Sequence, residues 1–151
     1  MACEMAGARD PGPGVRSYRD LRVWQQAIDL VPEVYLLLRK LPKEENYALA
    51  DQIRRAAVSV AANIAEGHAR QHTREFLQHL SIARGSLAEL ETLLIIAEKL
   101  LYVSRSDLRD IEDRSRTVGM LLHGLSRRLR ADPGPRTPDP AEAHGEPGGS
   151  P

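Results

Sequence analysis

Aromatic side chains and cysteine are scarce in this chain of 151 residues, which holds one Trp, one Phe, four Tyr and a single cysteine. The lone Cys3 cannot close an internal disulfide. It also stands in a Gly/Pro/Ala-rich opening, MACEMAGARDPGPG, which lacks the apolar core of a secretory signal. Long uninterrupted apolar runs are missing too. The greasiest stretch, LAELETLLIIAEKLLYV, is broken by Glu89, Glu91, Glu98 and Lys99. Each charge near a bilayer centre costs roughly 2.5–3.5 kcal/mol, so a comfortable membrane span is excluded and a soluble, cytoplasmic protein is expected. Net charge is absent as well: 21 basic residues balance 21 acidic ones, and no global field points to a polyanionic partner. Strand patterns do not occur either, since even VSV at 58–60 lies inside a helical period.

What is present is unevenly placed. Residues 15–130 hold 19 Lys/Arg against 15 Asp/Glu, whereas both ends are acidic. Residues 131–151, ADPGPRTPDPAEAHGEPGGSP, contain six of the ten prolines and almost nothing to bury, so they cannot offset their ordering entropy. The expectation is a disordered leader over 1–15, a folded domain over 16–130 and a disordered, acidic Pro/Gly-rich tail over 131–151.

Four helical patterns fill the middle. The first runs from about Asp20 to Lys40, capped by Ser17 or Asp20, and carries two adjacent apolar stripes. Leu21, Trp24, Ile28, Val31, Tyr35 and Leu38 form one; Val23, Ala27, Leu30, Val34 and Leu37 form the other. Pro32 interrupts them and is expected to kink the helix. The second pattern runs from Glu44 or Glu45 to Glu66, with Gly67 placed as its left-handed C′ residue. In the third, with Thr73 as its N-cap, Phe76, Leu80, Ala83, Leu87, Leu90, Leu94, Ala97 and Leu101 alternate at 4,3 spacing. Ser104 or Ser106 caps the fourth, whose seam is Leu108, Ile111, Ser115, Val118, Leu122, Leu125 and Leu129. Such 3.5-residue repeats, joined by short loops, define an all-α, antiparallel up-down four-helix bundle of left-handed packing. The first and third helices carry more apolar surface than one bundle interior needs, which marks self-association.

The stretches YRDLRVWQQAIDLVPEVY, QIRRAAVSVAANIAEGHAR and FLQHLSIARGSLAELETLL resemble the bacterial four helix bundle protein family, also called the ribosomal-RNA intervening-sequence protein family. The chain is similar, too, to the accessory variability protein of diversity-generating retroelements. The likeness covers about residues 16–128. It implies a homo-oligomer, typically a pentamer, and, for the retroelement relatives, binding to nucleic acid and to a reverse transcriptase. Most members have no established biochemical activity. Pro32 and the acidic tail depart from the family pattern.

Two sets of polar residues stand out. Arg55, Ser59, Asn63 and Glu66 share a helix face, with Arg84, Ser86 and Glu89 as partners on the third helix; a polar network that fixes helix register is expected there. Gly85 fits the same picture if a neighbouring helix approaches closely. In an antiparallel bundle, Arg16, Arg19, Arg22, Arg70, Arg74, Arg127, Arg128 and Arg130 gather at one end, and a ring of copies would repeat that basic end against a phosphate backbone. Catalysis has little to stand on. The nearest approach to a di-iron motif, Glu75-x-x-x-His79, has the wrong spacing and no second copy. No phosphate-cradling loop or nucleophile elbow is present. The expectation is therefore a non-enzymatic scaffold or binding module with no metal or cofactor. Its partners are itself, DNA or RNA, and a nucleic-acid-processing protein such as a reverse transcriptase. A purely structural oligomer or protein-interaction adaptor is the alternative.

Overall fold

A computed structural model describes residues 17–132; the leader, with Cys3 and Arg16, and the tail from Pro133 onward lie outside the described residues. Four helices make the fold: α1 (Arg22–Leu38), α2 (Leu49–Ala69), α3 (Thr73–Lys99) and α4 (Arg105–Ala131). Among the described residues there is no strand. Short 3-10 turns at Tyr18–Asp20 and Lys43–Glu45 precede α1 and α2. Each helix packs on the next, and α4 closes back on α1. The neighbours run antiparallel. Lys40, just past α1, pairs with Asp107 at the start of α4, and His68 near the end of α2 meets Phe76 near the start of α3.

Hydrophobic periodicity accounts for what lies inside. On α3 the 4,3 seam from Phe76 to Ala97 is buried throughout. On α4 Leu108, Ile111, Val118 and Leu122 are buried, while Leu125 and Leu129 pack against the core from its rim. Of the two stripes of α1, the one through Ala27, Leu30 and Val34 reaches the interior. In the other, Ile28 and Tyr35 stay exposed and Leu38 alone is buried. A side chain such as Leu30, wholly removed from water, stabilises the fold by about 1.5–3 kcal/mol. Pro32 lies within α1, on its exposed side, and the helix continues to Leu38.

Four local expectations are corrected. The second helix begins later than the Glu44–Glu45 signal indicates: Ala48 departs from helical geometry (φ −117°, ψ −105°), so the acidic pair occupies a separate turn. Thr73 opens α3 rather than capping it; the N-cap position is His72, whose side chain makes no capping bond. Gly67 does not end α2 but sits buried inside it. A Cβ at that position would lie 2.5 Å from His79 Cβ and 3.0 Å from Phe76 Cδ2, so glycine is required because α3 turns back onto α2 there. Gly85, in contrast, faces open space and permits no close approach of another helix.

Caps fix the remaining ends. Ser104 and Asp107 form a capping box at the start of α4, and Ser17 and Asp20 form another before α1. At the end of α3 the Leu101 N–H donates to Glu98 C=O (2.9 Å) and the Tyr102 N–H to Ala97 C=O (3.0 Å). This is a Schellman closure, and its left-handed position is filled by Leu101 (φ 63°) rather than by glycine.

Candidate nucleic-acid interface

The arginine-rich end is assembled by four segments: the 3-10 turn before α1, the end of α2, the start of α3 and the last turns of α4. Arg19, Arg22, Arg70, Arg74, Arg127, Arg128 and Arg130 are all exposed there. Arg70 pairs with Glu66 one turn earlier (3.5 Å). The Arg19 guanidinium stands 5.8 Å from the Tyr18 ring centroid. Asp20 is occupied by the Ser17 backbone N–H (3.2 Å). Among the described residues Arg22, Arg74, Arg127, Arg128 and Arg130 pair with no carboxylate. Arg127, Arg128 and Arg130 line a shallow concavity of about 660 Å³ together with Gly124 and Ala131. Cations with no counter-charge, held on helix ends, attract a polyanion, and the counterions it then releases favour the complex.

The polar set between α2 and α3 divides. The Ser59 and Ser86 hydroxyls bond each other (2.8 Å). The Asn63 amide donates to the Ser59 hydroxyl (3.0 Å) and to the Ser59 carbonyl (2.9 Å). His79, which the spacing argument considered only as a metal ligand, completes the chain: its Nδ1 lies 3.2 Å from Asn63 Oδ1. Arg55 instead pairs with Asp51 within α2 (3.0 Å), and Glu66 with Arg70. Arg84 and Glu89 are exposed and join neither the chain nor an ion pair. The residue missed by sequence reasoning was findable in principle, since His79 falls near the Asn63 level once α2 and α3 fold antiparallel.

A third feature escaped the sequence altogether. Between α1 and α2 runs a groove of about 500 Å³ lined almost wholly by apolar groups, with Tyr18 and Trp24 at one end and Ile28, Pro32 and Val58 along it. The two aromatic rings meet edge to face, centroids 5.2 Å apart. On the other side of α1, Arg114 ties α4 down through Glu33 (2.8 Å) and Gln26 (2.8 Å).

No helix among the described residues is long and apolar enough to cross a membrane, and no group of three or more potential metal ligands occurs among them. Fold and charge therefore define an all-helical protein of four packed helices with one arginine-rich end. The chain belongs to the 23S rRNA-intervening sequence protein family, whose model matches residues 19–124. It is similar in fold to a crystal structure from Bacteroides thetaiotaomicron VPI-5482, described as a protein with unknown function from the S23 ribosomal protein family. The TM-score is 0.64 at 24% identity, over 70% of this chain and 98% of that one. No curated protein matches the chain.

Proposed function

We propose that this chain is a non-enzymatic, self-associating module that holds the phosphate backbone of RNA or DNA on its arginine-rich end. The observation that carries this reading is the set of exposed arginines, Arg22, Arg74, Arg127, Arg128 and Arg130, left without carboxylate partners where three helix ends converge. Backbone contacts carry no sequence information, so affinity is set by salt more than by sequence. A nucleic-acid-processing protein, such as a reverse transcriptase, is the second partner class this reading accommodates.

A purely structural oligomer is the competing reading. It is favoured by the exposed apolar residues Ile95, Ile96, Leu100 and Leu101 at the far end of α3 and by Tyr35 and Leu36 on α1. Titration of duplex RNA and DNA at two salt concentrations separates the two. The nucleic-acid reading expects binding that weakens steeply with salt and is lost when Arg70, Arg74, Arg127 and Arg128 are changed to Ala. Absence of binding at low salt, in a well-folded oligomer, leaves only the structural role.

A further inference from the structure

Resting on the nucleic-acid reading, we propose that the groove between α1 and α2 holds one unpaired nucleobase of a single strand against Tyr18 and Trp24, with the adjoining phosphates on Arg19 and Arg22. The groove opens where the 3-10 turn at Tyr18–Asp20 meets α1, so its aromatic end and these two arginines are neighbours in the chain. That corner is braced. Ser17 and Asp20 cap the turn, and the Gln25 amide donates to the Arg19 carbonyl (2.9 Å), fixing the backbone from which Tyr18 and Arg19 project. A preorganised aromatic wall beside open cations is the arrangement with which proteins take hold of single strands, because each base offers a π-face and each linkage a negative charge.

The polar groups on the wall select the occupant. Asp29 is the one carboxylate lining the groove. It forms an ion pair with Arg114 (Oδ2 to Nη1, 3.7 Å) and its side chain is 61% exposed, so it stands at the solvent edge of the groove with lone pairs still open to a donor. A carboxylate at the edge of an apolar slot suits a planar ring that carries an amino group, as cytosine, adenine and guanine do. An aliphatic side chain from a second copy would cover the same surface but offer Asp29 no donor and the exposed Arg19 and Arg22 no counter-charge.

Trp24 is the only tryptophan in the chain, so its emission reports on the groove directly in the unmodified full-length protein. Three short ligands of equal charge are compared: a cytidine strand, a uridine strand and an abasic strand with the same number of phosphates; a duplex serves as the fourth. The cytidine strand is expected to quench Trp24 and to bind about tenfold tighter than the abasic strand, the scale of one stacked base, with uridine in between. Tyr18→Leu and Asp29→Ala are each expected to remove that increment, so that the cytidine strand binds no tighter than the abasic one. Equal affinity for cytidine and abasic strands with Trp24 emission unmoved overturns the base site while the phosphate reading stands. Failure of every strand and of the duplex to bind at low salt overturns the phosphate reading and the base site with it. Shielding of Trp24 that grows with protein concentration in the absence of nucleic acid puts a second copy in the groove and also overturns the proposal.

Discussion

Where α1 ends and α4 begins, basic and acidic groups alternate and several of them pair. Lys40 pairs with Asp107, Arg105 reaches Glu98 (3.2 Å) and Glu112 (3.3 Å), and the Tyr102 hydroxyl donates to Glu45 (3.0 Å). That last bond, made to a carboxylate, together with partial burial, holds the Tyr102 phenol above its ordinary pKa. Where α1 begins and α4 ends, the carboxylates are few and partly committed to caps, and the guanidinium groups stand open. Exposed pairs contribute at most about 1 kcal/mol each, so the paired end gains little stability from its neatness. The difference lies in the field outside the molecule: one end is neutralised locally and the other projects positive potential. An overall charge of zero conceals that asymmetry.

The sharpest way to break the comparison acts on the scaffold of the basic end. Gly67→Ala forces a methyl group against His79 and Phe76 and should lower the unfolding free energy by about 2 kcal/mol, measured by urea denaturation. Gly85→Ala, facing open space on the same pair of helices, should raise it by about 1 kcal/mol. If both substitutions are stabilising, α3 does not close on α2 as described. At the paired end, Leu101→Gly relieves a left-handed leucine that is 89% exposed and so sacrifices little burial. A gain of about 1 kcal/mol is expected from the same denaturation series. The smallest effect concerns Asp107, whose carboxyl is lowered from 3.8 to about 2, first by the bond from Lys40 and then by the backbone and side chain of Ser104. A depressed carboxyl stabilises the fold fully above its ordinary value, and that contribution is lost as pH falls through about 2. Asp107→Asn should therefore lower Tm at neutral pH, and the gap from the parent protein should close in strong acid.

Much of the fold was readable because two helices keep a strict seam. On α3 and α4 nearly every residue at 3.5-residue spacing is buried, and the Ser104 cap was visible as a short polar side chain ahead of an apolar period. On α1 two seams of similar quality compete, and only packing decides that Ala27 and Leu30 go inside while Ile28 faces out. Gly67 was misplaced for a related reason. Its need for glycine comes from His79, twelve residues away and on another helix, whereas the C′ rule considers only local backbone. The arginine-rich end followed from topology plus composition. The aromatic groove did not, because Tyr18 and Trp24 sit on opposite sides of a junction where the helical period breaks, and no single repeat contains both.

The serine–serine–asparagine–histidine chain between α2 and α3 bears on how the molecule avoids misassembly. Two smooth greasy rods could slide past one another by a turn, about 5.4 Å, and still bury most of their leucines. Here such a slip would break the two bonds that cross between the helices, Ser59–Ser86 and Asn63–His79, at about 1–3 kcal/mol for each group left dry. The hairpin of α2 and α3 is thus keyed like a lock with one notch, and a newly made chain has a single depth at which it can close.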